Sequence, residues 1–244
     1  MIEKEIRIGK AAKILGVTVQ TLRNWDKAGK LRSKRSPGGQ RYYDLIDLQR
    51  FQLDLEVLGW AWAASEQVPE IPKQYYCERQ DRFTSRLEKM SVELLRVLGN
   101  GSRDLISLLT LATGEIGDNS FAHNIGTWPD VTGIFYAYDV DKRYIVMADR
   151  GRGVRATLSR VRPGISSDAE ALRVAFTEVI SGRDPEKRGN GLKVVRSIAQ
   201  SNAIGLVFRS GIGMANIPKK PGDMDMDITM TDKNVRGVYA VIKF

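Results

Sequence analysis

The sequence has very little cysteine and histidine. Cys77 and His123 are the only residues of their kinds among 244. This scarcity excludes an internal disulfide, a cysteine-based zinc site and a histidine-rich metal centre, because each of these needs several such ligands. A single thiol fits a reducing compartment, so we expect the protein in the cytoplasm.

Long apolar runs are also missing. No stretch approaches the ~18 consecutive apolar residues of a membrane-spanning helix, so the sequence predicts no membrane partner. Residues 1–7 are already charged and patterned, and we therefore expect no signal peptide. The overall balance of apolar and charged residues is typical of globular proteins with an ample core.

The net charge of +9 is concentrated at one end of the chain. Residues 1–50 contain twelve Lys and Arg against five Asp and Glu, whereas the rest of the chain is nearly balanced. A basic segment on a balanced body indicates a polyanionic partner for that segment.

The basic segment has the pattern of a helix–turn–helix. Apolar residues at helical spacing predict a first helix over residues 8–15, which Gly16 ends. Thr18 can then cap a second helix over residues 19–28. The exposed face of this second helix would offer polar side chains to a DNA major groove: Gln20, Thr21, Arg23, Asn24 and Lys27.

A basic, turn-rich hairpin with aromatic residues follows at residues 32–43. Its lysine and arginine side chains can lie along phosphates, while proline and glycine shape the tip. The candidates for DNA contact in this hairpin are Lys34, Arg35, Arg41 and Tyr42. Asp44 can cap a further helix over residues 45–58.

The string IGKAAKILGVTVQTLRNWDKAGKL and the later string SPGGQRYYD together resemble the winged helix–turn–helix of the MerR family. The resemblance implies sequence-specific binding of double-stranded DNA, usually a palindrome bound by a homodimer. We therefore predict a DNA-binding domain over residues 1–58, with Thr18 joining the helix and hairpin side chains in contacting DNA.

A connector is predicted over residues 59–98. Pro69 and Pro72 discourage helix near its start, and a helix is expected over residues 79–98. Apolar residues recur in that helix at 4-3-4-3 spacing, an a/d pattern over about two heptads: Phe83, Leu87, Met90, Leu94 and Val97. The stripe suits a dimerisation helix or a helix packed on its own domain, and both interpretations stay open.

A polar row lies in the second half of the chain. Glu115, Asn119 and His123 recur at every fourth position, so on a helix they lie along one face. A carboxylate there can act as a general base, and an amide oxygen is a hard ligand suited to Mg²⁺.

Two glycine-containing stretches follow this row. An Asp-x-Gly-x-Gly stretch at residues 149–153 comes after the strand-like residues 144–147, and a Gly-x-Gly-Leu stretch at residues 189–192 opens a helical pattern. Alternating glycines let a backbone approach a ligand closely, and the aspartate can accept from an exocyclic amine. Glycines at a helix start leave N–H groups for phosphate.

In this order, the three stretches resemble the N box and the two glycine boxes of the GHKL superfamily of ATP-binding domains, over roughly residues 99–244. The resemblance implies ATP or ADP with Mg²⁺ as ligands. Asn119 would bind the metal, Asp149 would bind the adenine amino group, and Glu115 would be the catalytic base. The resemblance also implies that residues 154–188 form a mobile lid over the phosphates. Further nucleotide contacts are implied for His123, Gly151, Gly153, Gly189, Gly191 and Leu192.

Two features depart from the family pattern. Val238 stands where a threonine is common, so a hydroxyl contact near adenine is expected to be missing. No histidine other than His123 is present to accept phosphate, which argues against a self-phosphorylating kinase of the sensor type.

Arg150, between the aspartate and the first glycine, is expected to be solvated.

The sequence thus predicts an α+β protein with a winged helix–turn–helix and a C-terminal α/β sandwich of the GHKL ATPase type, with helices on one face of a mixed sheet. The predicted function is a DNA-binding transcriptional regulator gated by ATP or ADP. Two alternatives stay open: a magnesium-dependent ATPase or protein kinase localised by DNA, or an interaction module without nucleotide. A protein partner is compatible with each.

Overall fold

The computed structural model describes residues 5–15, 17–27, 29, 31–45, 47–48, 54–179, 191–219 and 226–244. The chain divides into two compact units, an N-terminal unit, Met1–Asp54, and a C-terminal unit, Leu55–Phe244. The division falls before the boundary predicted after Leu58, because the residues from Leu55 onward pack on the sheet of the C-terminal unit.

Among its described residues, the N-terminal unit has the helices α1 and α2, further helical residues at Leu45, Asp47 and Leu48, and a small sheet. Both helices of the predicted helix–turn–helix form, and Thr18 Oγ accepts the predicted capping bond from Thr21 N at 3.0 Å. The strands pair antiparallel in the order β1-β3-β2. The elements are β1 Glu5–Arg7, α1 Ile8–Leu15, α2 Val19–Lys27, β2 Lys34–Arg35 and β3 Arg41–Asp44.

A small apolar core joins these elements. Leu22 of α2 and Tyr43 of β3 are both buried in it, and Tyr43 Oη donates to the backbone oxygen of Leu22 at 3.3 Å. Trp25 packs against the same core. The buried side of α2 therefore faces the sheet, and its polar side is left outward.

The C-terminal unit is a five-stranded sheet with helices. The strand order is β4-β5-β6-β8-β7. The elements are α3 Leu55–Ala64, β4 Tyr76–Cys77, α4 Gln80–Leu98, α5 Arg103–Asn124, β5 Ile134–Asp139, β6 Tyr144–Asp149, α6 Gly153–Leu158, α7 Asp168–Thr177, α8 Gly191–Ser201, β7 Gly205–Ile217 and β8 Asp227–Lys243. Within the described ranges, none of the helices combines the length and the apolar composition that crossing a membrane would require.

The strand directions differ from the prediction of a mixed sheet. All four pairings between the described strands are antiparallel. The two closing strands predicted at residues 225–231 and 237–244 belong to the single long strand β8, and residue 225 lies outside the described residues. β8 pairs antiparallel with β7 on both sides of the polar residues 232–234 that separated the two patterns, and the register shifts between the two paired parts.

Both faces of this sheet are covered. Successive side chains of a strand point to opposite faces, so Ile145 and Met147 of β6 join a core formed with α4, α5, α7 and α8, whereas Val146 joins a second core formed with α3. Helices on one face are predicted for residues 99–244, and α3, which precedes that range, covers the opposite face. Of the helix predicted over residues 45–58, Leu45, Asp47 and Leu48 are helical, and positions 46 and 49–53 lie outside the described residues. Asp54 is not helical, and residues from Leu55 onward belong to α3.

The apolar stripe of α4 packs inside its own unit. Phe83, Leu87, Met90 and Leu94 are buried in the core shared with α5, whereas Val97 is 48% exposed. Of the two interpretations of this helix, internal packing is the one the structure shows. The predicted connector is consequently part of the C-terminal unit.

Close contact between α4 and α5 predicts opposite effects for two alanine substitutions one turn apart. A Cβ on Gly117 would overlap the Phe83 ring, which is 1% exposed and cannot swing away, whereas a Cβ on Gly114 would lie 3.4 Å from Leu87 Cδ2. Overpacking costs about 1–3 kcal/mol, and replacing a helical glycine by alanine gains about 0.5–1 kcal/mol. We expect Gly117→Ala to lower the free energy of unfolding and Gly114→Ala to raise it, measured by urea denaturation. Equal stability of the two variants would contradict this packing.

Candidate functional site

The DNA-contact residues predicted on α2 share its outward face. Gln20, Arg23, Asn24 and Lys27 are exposed, while Thr21 is half-buried. Gln20 Nε2 donates to Asn24 Oδ1 at 3.1 Å, which orders two of these side chains on one surface. Thr18, just before the helix, uses its hydroxyl as the cap. The structure therefore brings the helical candidates together.

The hairpin candidates fall into two groups. Lys34 and Arg35 are exposed on β2, with Lys34 Nζ 3.8 Å from Asp44 Oδ2. Arg41 instead points toward α2, where its Nε donates to Asp26 Oδ2 at 2.7 Å. Tyr42 is half-buried and donates to Gln40 Oε1 at 3.3 Å. Arg41 thus fixes the hairpin against the helix that precedes it.

The second group of predicted residues lines a cavity in the C-terminal unit. The cavity volume is about 100 Å³, compared with the ~10–15 Å³ that one water needs. Residues from all three predicted stretches contribute to its wall, in the order of the chain: Asn119, His123, Asp149, Gly153, Gly191 and Leu192. Val238 of β8 joins them. The structure therefore assembles stretches that lie far apart in sequence.

Two predicted residues lie beside the cavity, and one lies outside the described residues. A Cβ added to Gly191 would come 2.5 Å from Glu115 Oε2, so this carboxylate lies against the first residue of α8. Gly151 packs on the side chain of Asn124, where a Cβ would overlap the amide group. Gly189 lies outside the described residues. Within the predicted lid, the described residues 154–179 include α6 and α7, and residues 180–188 lie outside the described part.

Asp149 is the buried polar centre of this cavity. Its carboxylate accepts hydrogen bonds from Ser120 Oγ at 2.6 Å and from Gly151 N at 2.8 Å, and also from the backbone N–H of Val238. Burial raises the pKa of Asp149 above its ordinary value, and these three donors oppose the shift. The carboxylate is held in one orientation, in which it can accept from a ligand amine.

Three supporting residues were not predicted. Ser120 and Asn124 are one position beyond Asn119 and His123 on α5; Asn124 donates to Ser120 O at 2.7 Å and accepts from Arg152 N at 3.0 Å. The spacing of four residues between Ser120 and Asn124 was the sequence pattern that could have identified them. Ser210 Oγ accepts from Val154 N and donates to Gly237 O, linking α6 to β8. No sequence pattern around Ser210 indicates this role.

The surroundings of Arg150 contradict its expected solvation. The side chain is 0% exposed and pairs with Asp130 Oδ2 at 2.7 Å. It donates to backbone oxygens at the end of α3 as well. A buried guanidinium is stable only with such partners, and the partners lie too far away in sequence to be recognised locally.

Magnesium would need few protein ligands here. Among the described residues, no cluster of three or more His, Cys, Asp or Glu side chains is arranged to hold a metal ion. Mg²⁺ bound with a nucleotide keeps several waters and uses one or two protein groups together with phosphate oxygens. Asn119, on the cavity wall, has the amide oxygen for that role, and Glu115 lies on the same helical face.

The pairing of Asp26 with Arg41 predicts a low pKa for this carboxyl. The hydrogen bond from Arg41, with one from Ser33 N at 2.8 Å, lowers the pKa of Asp26 from 3.8 to about 2. The stability from this pair is therefore present above about pH 4 and is lost as the pH falls toward 2. In an NMR titration of the Asp26 carboxyl we expect Arg41→Ala to bring the pKa back toward 3.8. Arg35→Ala, which removes an exposed arginine of the same hairpin, should leave it low; equal effects would contradict the pairing.

Comparison with known proteins identifies one segment. Residues 7–43 match the family model described as MerR family regulatory protein. No curated protein and no solved structure matches the chain. The matched segment contains α1, α2, β2 and most of β3, and it includes every residue predicted to contact DNA. Residues 7–43 therefore form a MerR-family helix–turn–helix domain, the kind of domain found in DNA-binding transcription regulators, which typically act as dimers.

Proposed function

We propose that this protein is a DNA-binding transcription regulator whose DNA binding is controlled by ATP or ADP bound in the C-terminal unit. The observation that carries the nucleotide part is the cavity in which Asn119, Asp149 and Gly191 meet. The antiparallel sheet departs from the mixed sheet expected for a GHKL-type domain. The proposal therefore rests on the cavity and its polar groups, not on strand directions.

The base end of the proposed ligand is at Asp149. Apolar side chains of Leu158, Leu192, Phe208 and Val238 contribute walls that suit the flat faces of a purine. The fixed carboxylate of Asp149 accepts hydrogen bonds, so it suits the exocyclic amine of adenine. Guanine would place a carbonyl oxygen near the same carboxylate, where two acceptors repel each other. These features favour an adenine nucleotide.

The phosphate end is at the start of α8. Gly191 is the first residue of this helix within the described part of the chain, and the first N–H groups of a helix have no partner within it and attract phosphate. Asn119 lies against the same residue, since a Cβ on Gly191 would be 3.1 Å from Asn119 Nδ2. A magnesium ion held by Asn119 would therefore sit beside phosphates at this helix start.

The DNA end is the exposed face of α2 with the β2 hairpin. These elements lie in the matched MerR segment and carry the excess basic charge. A homodimer on a palindrome is part of the proposal, because one winged module contacts few base pairs.

Titration of the full chain with MgATP and MgADP tests the nucleotide site. We expect binding to the wild type, and about tenfold or greater weakening in Asp149→Asn, since an amide N–H would then face the ligand amine. Asn119→Ala should weaken MgATP more than ATP with a chelator, because only the former uses the metal ligand. MgGTP should bind more weakly than MgATP.

Asp118→Asn is the matched control for this titration. It makes the same chemical change one residue from Asn119, but its side chain is exposed and accepts from Gln80 Nε2 at 2.9 Å instead of lining the cavity. We expect wild-type affinity in this variant. Absence of calorimetric binding to the wild type, or equal weakening in the control, would reject the nucleotide site.

Binding to a duplex selected by the wild-type protein from a random-sequence pool tests the DNA surface. Arg23→Ala should cost about 1–3 kcal/mol of binding free energy if it contacts a base edge. Lys34→Ala should lower affinity on all sequences and reduce the salt dependence, as loss of a phosphate contact does. Arg96→Ala removes the same charge from the exposed face of α4 and should change neither the DNA affinity nor its salt dependence. Fluorescence anisotropy at several salt concentrations measures both, and full retention of affinity in Arg23→Ala and Lys34→Ala would contradict the assigned surface.

A further inference from the structure

A fully buried arginine holds the end of α3. Arg150 Nη1 donates to the backbone oxygens of Trp62 at 2.6 Å and Ser65 at 2.9 Å, and Nη2 donates to that of Glu66 at 3.2 Å. Its charge is paired with Asp130, which accepts from Nε at 2.8 Å. The last carbonyl groups of a helix lack partners within the helix and favour a cation, so Arg150 both completes and anchors this helix end.

A second arginine reaches the same end of α3 from the neighbouring strand. Arg236 of β8 donates from Nε to Ser65 O at 3.2 Å and from Nη2 to Glu66 O at 2.8 Å. Its Nη1 lies 3.9 Å from Asp130 Oδ2. Arg150, Arg236 and Asp130 together form what we call the α3 clamp.

Arg150 of the α3 clamp directly follows a cavity residue, and Arg236 lies two residues before another, Val238. Arg150 follows Asp149, and Arg236 precedes Gly237, whose missing side chain lets β8 lie against the Asp149 carboxylate. Successive residues of an extended backbone point to opposite faces, so Asp149 faces the cavity while Arg150 faces the α3 clamp from the same backbone segment. Arg236 lies where the register between β7 and β8 shifts, and it reaches the α3 clamp from that irregularity. A shift of the backbone at Asp149 therefore moves Arg150 as well.

The helix held by the α3 clamp is the first element of the C-terminal unit, so it follows the DNA-binding unit in the sequence. That unit ends at Asp54, and α3 begins at Leu55. Trp60 and Trp62 of this helix pack on the sheet, and Tyr239 Oη donates to Glu56 O at 3.3 Å. The first helix of the C-terminal unit is therefore held at its C-terminal end by Arg150, the residue after Asp149, and by Arg236 of β8.

We propose that the α3 clamp transmits occupancy of the cavity to α3 and so changes DNA affinity, with Arg150 and Arg236 as positioning residues. This inference rests on the proposed nucleotide site and adds the route of regulation. Coupling of this kind is reciprocal: if ATP changes DNA affinity by some factor, DNA changes ATP affinity by the same factor.

The test compares Arg236→Met with wild type in the full chain. Methionine keeps much of the apolar stem and removes the donors to Ser65 and Glu66. Affinity for the selected duplex is measured with and without MgATP, and MgATP affinity is measured by calorimetry with and without that duplex. In wild type we expect MgATP to change DNA affinity about fivefold or more. In Arg236→Met we expect MgATP affinity without DNA to be retained. The effect of MgATP on DNA affinity and the effect of DNA on MgATP affinity should each fall to less than about half of the wild-type factor.

Lys243→Met is the matched control. Lys243 Nζ pairs with Glu56 Oε1 at 3.1 Å, so the variant removes a cation from the first turn of the same helix, away from Asp149. We expect the full effect of MgATP on DNA affinity in this variant. An equal loss in Lys243→Met would mean that any loosening of α3 suffices, which overturns the role of the α3 clamp.

The outcomes separate this inference from the nucleotide proposal. MgATP that binds wild type without changing DNA affinity, or an undiminished effect in Arg236→Met, overturns the inference and leaves the nucleotide site in place. MgATP that does not bind wild type overturns both. If Arg236→Met does not fold, hydrogen exchange of residues 61–66 in wild type decides: we expect MgATP to change their exchange rates, and unchanged rates overturn the inference.

Discussion

Burial of the Asp149 carboxylate is the constraint on which the C-terminal unit depends. A carboxylate removed from water is stable only when donors replace the water, and here the donors come from three separate parts of the chain. The donors are the Ser120 hydroxyl on α5, the Gly151 N–H in the loop after β6 and the Val238 N–H on β8. The requirement for these bonds therefore fixes the positions of the helix and strand that form the cavity, and Gly237 lets β8 approach closely enough.

The same backbone segment satisfies a second buried charge of opposite sign. Asp149 has its hydrogen-bond donors on the cavity side of the sheet. Arg150 has its partners on the α3 side, where it pairs with Asp130 and donates to carbonyl oxygens of the helix. Neither side chain could exchange faces without leaving an ion without partners, which costs several kcal/mol. The alternation of successive side chains thus keeps the register at this point fixed, and it couples the cavity surface to the α3 surface.

Local patterns predicted the parts of the fold that depend on neighbours in sequence. The helices α1 and α2, the cap at Thr18 and the polar row on α5 all follow from spacing within a few turns. The spacing of Phe83 and Leu87 marked an apolar stripe but could not name its partner, because a dimer and an internal core use the same period. The burial of Arg150 escaped prediction because its acceptor at Trp62 lies 88 residues away. Strand direction and the packing of α3 depend on contacts of the same long range.

Regulation through α3 requires only a small energetic difference. A ligand can shift DNA binding only by as much as it distinguishes two arrangements of the protein, and such coupling is commonly about 1–3 kcal/mol. An exposed contact of a charged side chain contributes up to about 1 kcal/mol, and Arg236 makes two exposed hydrogen bonds to the end of α3. Making or breaking both of these bonds is therefore of the required size. The fully buried Arg150 would keep the helix attached, so the half-exposed Arg236 is the member of the α3 clamp that can change without loss of the fold.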